Sequence, residues 1–269
     1  SHIIMAIANA LAFLLYLSSS VILIRRFVQK DQTSVNASIP VGILIIMALL
    51  FHGTDIFFTM KNAGGWELGL FTTFSLTTWL MAFIALIIGF RLPNAHPGII
   101  VYPLVALSLM LKVELPSPEP PSISQPALEW HILLSLAAYS FFMLAAIQAI
   151  ILAVQEKQLH QRHLNGLIRK LPPLQTMERA LFQLLSSGFV LLTLGLITGL
   201  MFVDDLFAQH LVHKTVLSII AWCVFASLLW GRWRYGWRGQ TAVKWTLAGF
   251  IFLLLAYMGS KFVLEYLMS

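Results

Sequence analysis

The sequence predicts an all-α integral membrane protein, a bundle of about eight transmembrane helices. Of the 269 residues, 59% are hydrophobic and only 10% are charged, whereas a soluble domain carries roughly a quarter charged residues. Because one bilayer crossing takes about 20 apolar residues, the length accommodates eight crossings and leaves little chain for a soluble domain. The net charge of +6 comes from basic residues dispersed among short loops, which indicates membrane topology and not nucleic-acid binding.

Eight apolar stretches mark the spans of a predicted single transmembrane domain, residues 1–269. Each is long and apolar enough to be interpreted as one crossing, although the fourth is short. In chain order they are Ile3–Ile24, Ile39–Phe58, Leu68–Phe90, Gly98–Leu111, Trp130–Val154, Leu181–Val203, Val212–Trp230 and Trp245–Leu264.

The basic residues predict that both termini lie on the outer, periplasmic side. Only Lys61, Lys112, Lys214 and Lys261 fall on or near that side. The other lysines and arginines fall at the opposite ends of the spans, as expected for loops that remain in the cytoplasm. We therefore expect a multi-pass protein of the bacterial inner membrane, surrounded by lipid.

Individual stretches carry further expectations. Ile3–Ile24 lacks a basic leader and a small-residue cleavage site, so it is predicted to be a retained helix. Pro93 and Pro97 precede the fourth span, which predicts a tilted or kinked helix packed against protein. His96, in the short loop before that span, is interpreted as a solvated residue and not a ligand. Cys223 lies within an apolar run, and we expect a buried, inert thiol there.

The second span carries two ionisable residues, which are costly in a bilayer and need a reason to be there. His52 lies about two thirds of the way along the span, toward the outer side, and Asp55 follows three residues later on nearly the same helical face. A carboxylate beside an imidazole can fix its tautomer and raise its basicity. Asp55 is therefore predicted to support His52, or to form a proton relay with it.

Two further histidines open spans on the outer side: His131 begins the fifth and His213, followed by Lys214, begins the seventh. His52, His131 and His213 thus come from three helices at broadly similar depth. Two imidazoles from separate helices can hold a haem iron, so these residues are candidates to bind haem b. The candidates to meet the haem propionates are Lys214, Lys61 and Lys112. The alternative for each histidine is a structural hydrogen bond within the bundle, and zinc has no short-range ligand spacing to support it.

The second half of the chain resembles the CcmF/CycK/CcsA cytochrome c assembly family, and within it most closely the YpjD-like inner-membrane branch. The resemblance spans roughly the last 140 residues, in which these stretches occur in the family's order and spacing, while the first half fits more loosely through His52 and the helix count. The stretches are Trp130–Tyr139, Leu171–Leu200, His213–Trp222, Gly236–Gly239 and Leu255–Val263.

This resemblance implies handling of haem at the outer face of the membrane, and it matches His131 to an outer histidine that is an axial haem ligand in the synthase branch. Three departures set the chain apart from synthases. The segment Met201–Val212 replaces the tryptophan-rich WWD segment, Trp230 stands where synthases carry a histidine, and no second outer histidine follows the last span. We therefore expect an assembly accessory and not a complete synthase. If it binds haem, His131 needs a new axial partner, for which His52, with Asp55 behind it, is the first choice and His213 the second.

The leading hypothesis is a membrane protein that binds haem and assists c-type cytochrome assembly, with an apocytochrome or another assembly protein as its partner. Two alternatives stay open. One is an electron-transfer cytochrome with a bis-histidine haem. The other is a haem-free transporter, regulatory subunit or structural subunit, in which His52, Asp55 and Lys214 would form a proton or ion path. Whether the protein is an enzyme is left open at this point.

Overall fold

The computed structural model describes residues 2–29, 35–115, 125–162, 166–202, 211–262 and 266–267. Within these ranges every regular element is a helix, which confirms the all-α fold class. Eight long helices occur there. They are α1 (His2–Gln29), α2 (Val35–Ala63), α3 (Leu70–Arg91), α4 (Gly98–Glu114), α5 (Pro126–His160), α6 (Leu174–Phe202), α7 (Val212–Tyr235) and α8 (Gln240–Leu254), which continues as a π-helical turn Leu255–Gly259 and a last turn Ser260–Phe262.

Seven of these helices are long and apolar enough to cross a membrane. The remaining one, α4, has 17 residues with Pro103 inside it, and it is the short fourth span of the sequence. The eight predicted stretches each coincide with one long helix, although the predicted ends at Val203 and Leu264 lie outside the described residues. The helices extend beyond the apolar stretches because backbone hydrogen bonding continues into polar residues. The orientation of the termini stays a prediction.

The chain divides into two compact units. Unit 1 comprises Ser1–Ser124 and Gly166–Pro172, and unit 2 comprises Gln125–Asn165 and Pro173–Ser269. In unit 1, α1 and α3 each pack against both α2 and α4. In unit 2, α5 and α7 each pack against both α6 and α8. Each unit is therefore a four-helix bundle in which neighbours in sequence are neighbours in space, and the first helix contacts the last.

His96 is buried, so its interpretation as a solvated loop residue is wrong. Only 9% of the residue is exposed, because Gly89 and Gly98 leave room for its ring where any side chain would overlap it. Nδ1 of His96 accepts a hydrogen bond from the backbone N–H of Gly98 at 3.0 Å, and its ring meets the ring of Tyr102 edge-on at 5.7 Å. Burial lowers the pKa of His96 to about 4, so the imidazole is neutral at pH 7.

The expectation of a buried thiol at Cys223 is also wrong, because this residue is exposed on α7. An apolar run does not distinguish the face of a membrane helix that contacts protein from the face that contacts lipid, since both are apolar. Cys223 lies on the outward face of α7, whereas Ala221 and Phe225 on the same helix are buried.

Candidate functional site

His131 lies in unit 2 and is held by α6. Its Nδ1 is 2.7 Å from the backbone oxygen of Gly195 and 3.2 Å from Oγ1 of Thr198. A carbonyl oxygen only accepts hydrogen bonds, so Nδ1 carries the proton of the neutral ring and Nε2 retains a lone pair. Metal-binding histidines are held in this way, with one ring nitrogen donating to a carbonyl or carboxylate and the other free for the metal.

Two glycines of α6 make room for this arrangement. A Cβ atom at Gly199 would lie 3.0 Å from Cε1 of His131, and one at Gly195 would lie 3.3 Å from Oγ of Ser135. Oγ of Ser135 in turn donates to the backbone oxygen of His131 at 2.8 Å. Both distances are shorter than ordinary contacts, so a larger residue at either position would require His131 or Ser135 to shift by a few tenths of an ångström.

A group of aromatic and basic side chains lies in the same unit. Tyr139, two turns along α5 from His131, packs against Tyr257 with ring centroids 4.9 Å apart. The ammonium groups of Lys214 and Lys261 lie 4.4 Å and 5.4 Å from the centroid of the Tyr257 ring. Such contacts are cation–π interactions. Tyr257 belongs to the π-helical turn of α8, a type of irregularity that is frequent at functional sites.

Lys214 lies within electrostatic range of the His131 imidazole. Among the described residues it has no carboxylate at ion-pair distance. An ammonium without a carboxylate partner in an apolar protein is a natural contact for an anionic group. His213, the residue before Lys214, is exposed at the start of α7.

His52 has a different environment in unit 1, where it is fully buried. Its Nδ1 is 3.1 Å from the hydroxyl of Tyr16, and its Nε2 is 2.8 Å from the hydroxyl of Ser75. Both ring nitrogens are therefore occupied by hydrogen bonds. Ligation of a metal by His52 would require one of these bonds to break.

The carboxylate of Asp55 bonds to Lys112, whose ammonium donates to Oδ2 at 2.6 Å and to Oγ1 of Thr59 at 2.7 Å. The predicted support of His52 by Asp55 thus has no hydrogen bond in this structure, since the ring nitrogens face other groups. Lys112 is already engaged by a carboxylate, and Lys61 is exposed, 6.0 Å from the ring of Phe58. Of the three propionate candidates, Lys214 is the one in the unit of His131.

Several residues of these two environments were not singled out from the sequence. Tyr16 and Ser75 were missed because a hydroxyl in an apolar run gives no sign of its partner. The two glycines at His131 carried a usable signal, since their spacing places them on one face of α6. The contact of Tyr257 with Lys261 could be found only from the structure, because Tyr257 lies in a turn that departs from regular α-helical geometry.

The described residues contain no group of three or more histidine, cysteine, aspartate or glutamate side chains that could hold a metal ion. Binding of iron at His131 would therefore depend on a porphyrin to supply the other ligands.

Comparisons with known proteins give a consistent result. The family described as "Cytochrome C assembly protein" matches residues 7–268. The chain is 34% identical to the inner membrane protein YpjD of Escherichia coli (strain K12) over 221 residues, which cover 81% of this chain and 84% of that protein. It is 25% identical over 258 residues to Protein HemX of Brevibacillus brevis, covering 93% of each chain. No solved structure gives a significant match.

The cytochrome c biogenesis protein CcsA of Guillardia theta is 23% identical over 218 residues, covering 72% of each chain. The family match covers nearly the whole chain, so the resemblance noted in the second half extends through both units. The YpjD relative and the apolar helices indicate a multi-pass protein of the inner membrane. The chain belongs to the cytochrome c assembly protein family, and this membership supports a role in c-type cytochrome biogenesis.

Proposed function

We propose that the protein is a haem-handling accessory of c-type cytochrome assembly and holds haem b at His131. The single observation that carries this proposal is the hydrogen bond from Nδ1 of His131 to the backbone oxygen of Gly195 at 2.7 Å. This bond fixes the ring orientation and leaves Nε2 with the lone pair that an axial haem ligand needs.

Unit 2 also offers side chains for the other two contacts of a haem, its propionates and its second axial position. The proposed contact for a propionate is Lys214, which lies 4.4 Å from the Tyr257 ring and has no carboxylate partner among the described residues. His213 is the first choice for a second axial ligand, because it belongs to the same unit and is exposed. His213 thus replaces His52, the first choice from the sequence, because both ring nitrogens of His52 are already bonded within unit 1.

The accessory role rests on the departures from the synthase pattern. Met201–Val212 replaces the tryptophan-rich segment, and residues 203–210 of it lie outside the described part of the chain. A protein with a haem ligand and no such segment is suited to hold or pass on haem. The proposed recipients are an apocytochrome or another membrane protein of assembly, on the periplasmic side predicted for the His131 end of α5.

The visible spectrum of the detergent-purified protein, expressed with a supply of haem, tests this proposal. We expect a Soret band in the wild type. His131→Asn should lose it, because the amide nitrogen of asparagine can still donate to Gly195 while the Nε2 ligand is gone. His160→Ala is the matched control, since His160 is another histidine of unit 2 that is exposed and, among the described residues, hydrogen-bonds to the backbone of Glu156.

Colourless wild-type protein that takes up no added haem would contradict the proposal, as would a His131→Asn spectrum identical to that of the wild type. The electron-transfer alternative predicts, in addition, a change in the redox state of the haem. If the bound haem is reduced reversibly by a quinol, the protein is better described as a membrane cytochrome than as an escort.

A further inference from the structure

Unit 1 contains a line of buried polar side chains along the middle of its bundle. On α1 this line consists of Asn9, Tyr16, Ser19 and Ser20, which share the buried face with Ala8 and Ala12. Polar residues inside membrane helices are costly and commonly mark ion or proton paths. Two of these residues also contact other helices: Tyr16 contacts His52 on α2, and Ser20 contacts the backbone of Ile99 on α4.

The first part of the line is the ion pair of Asp55 and Lys112, with side chains 3% and 11% exposed. Thr59 joins this pair and also contacts Sδ of Met5 at 3.5 Å. Along α1, Asn9 lies between Met5, the residue that contacts Thr59, and Tyr16, the residue that contacts His52.

The centre of the line is the hydrogen-bonded chain of Tyr16, His52 and Ser75, all three fully buried. One turn further along α3, Oγ1 of Thr78 lies 2.7 Å from Oγ of Ser108 on α4. Imidazole and hydroxyl groups each carry a proton and a lone pair, so each can accept a proton on one side and release one on the other.

The last part of the line leads to the loop between α3 and α4. Oγ of Ser20 is 3.5 Å from the backbone oxygen of Ile99. The ring of Tyr102 lies between two others, 6.0 Å from that of Tyr16 and 5.7 Å from that of His96. His96 itself belongs to the loop and not to a helix.

Within the part of unit 1 that the structure describes, three buried polar atoms have no hydrogen-bond partner: Nδ2 of Asn9, Oγ1 of Thr73 and the hydroxyl of Tyr102. Their residues are 8%, 0% and 0% exposed. Buried polar groups are almost always satisfied, by protein or by ordered water. These atoms occur on three helices, two of them on the line itself, and each has hydrogen-bonding capacity that an ordered water molecule would satisfy.

We propose that α1–α4 enclose a hydrated proton pathway from Asp55 through His52 and Tyr16 to Tyr102 and His96. At each step one O–H or N–H bond forms as another breaks, so one proton moves along the line and no residue is oxidised or reduced. This activity belongs to unit 1 and does not depend on haem at His131.

The ion pair regulates entry at the Asp55 end. While Lys112 donates to Oδ2 of Asp55, that oxygen is occupied, and it can accept a proton only when Lys112 moves away. This restraint keeps the conductance low. Lys112→Met should therefore raise the proton flux, whereas Asp55→Asn should lower it.

Proton uptake by liposomes containing the full-length protein tests the pathway. Valinomycin and a potassium gradient set the membrane potential, and a pH-sensitive dye inside the vesicles reports the flux. Tyr102→Phe removes only an unbonded hydroxyl and should leave the fold intact, yet we expect it to lower the flux by about tenfold, as one raised transfer barrier would. His52→Leu should lower it at least as much.

Thr246→Val is the matched control, because Thr246 is a fully buried hydroxyl residue in α8 of unit 2 and is not part of this line. Flux in the wild type that falls in Tyr102→Phe and persists in Thr246→Val supports the pathway. Wild-type vesicles that take up protons no faster than protein-free vesicles would overturn it. A wild-type flux that Tyr102→Phe leaves unchanged would also overturn it, because protons would then cross elsewhere.

Discussion

His52 and His131 occupy four-helix bundles with the same order of neighbours, and they differ in what their ring nitrogens face. In unit 1 both nitrogens of His52 bond to hydroxyls of a closed, buried network. In unit 2 only Nδ1 of His131 is held, by a backbone oxygen, and the ring is half-buried. The first environment suits a group that exchanges protons with neighbouring hydroxyls. The second suits a group that binds a ligand from outside the bundle.

The largest expected difference concerns stability. His52→Ala leaves a cavity and strips the hydroxyls of Tyr16 and Ser75 of a partner, so it should lower the free energy of unfolding by about 4 kcal/mol. His131→Ala removes a half-buried ring and should cost about 1 kcal/mol. Thermal unfolding in one detergent compares the two variants. Equal losses would show that the two histidines are equally embedded, and the contrast between the units would fail.

A double-mutant cycle on Asp55 and Lys112 tests whether unit 1 contains a coupled, buried ion pair. Lys112→Met or Asp55→Asn alone leaves a buried group without its partner and should cost about 3 kcal/mol. The double variant should cost clearly less than the sum of the two. Denaturation of all four proteins gives the coupling energy. Strictly additive losses would mean that the two side chains do not interact in the folded protein.

Gly199→Ala tests the site of unit 2. The added Cβ would lie 3.0 Å from Cε1 of His131 and should displace the ring, weakening haem binding by about tenfold, or about 1.4 kcal/mol. Titration of the purified protein with haem measures the change. Gly166→Ala is the control, because a Cβ at Gly166 has no neighbour within 4 Å in the part of the chain that the structure describes. Unchanged affinity in Gly199→Ala would argue against His131 as a ligand in this orientation.

The smallest effect is a pH dependence from His96. Its pKa is lowered from the ordinary value of 6.5 to about 4 in the folded state, so the unfolded chain binds more protons between these values. Stability is therefore complete above about pH 6.5 and falls as the pH drops toward 4, by about 1 kcal/mol between about pH 7 and pH 5.5. Unfolding of the wild type and of His96→Gln at both pH values measures this. A variant as pH-dependent as the wild type would contradict it.

The sequence was sufficient for the architecture because a bilayer imposes a simple requirement on spanning helices. Apolar stretches predicted the eight helices, including the short one that became α4. The family resemblance predicted the importance of His131, and the structure adds the backbone contact that orients its ring. That contact joins residues 64 positions apart, so no local pattern could reveal it.

Two features could not be predicted from the sequence: the partner of Asp55 and the burial of His96. Asp55 was assigned to His52 because the two share a face of α2, but the competing partner is Lys112, 57 residues away. A carboxylate prefers an ammonium to a neutral imidazole, because the charged pair gains more electrostatic energy in an apolar surrounding. His96 was assigned to water because it lies in a loop, and two glycines gave it space inside the bundle.

The spacing of Gly195 and Gly199 forms a GxxxG motif, which in an apolar helix is ordinarily interpreted as a signal for association of two separate chains. Here the partner helix is α5 of the same polypeptide, and the close approach serves to seat an imidazole and a serine. A motif scan would therefore suggest a dimer where the glycines build an internal groove. In related membrane proteins, a histidine facing such a glycine pair is worth examining as a ligand before the pair is counted as a dimer interface.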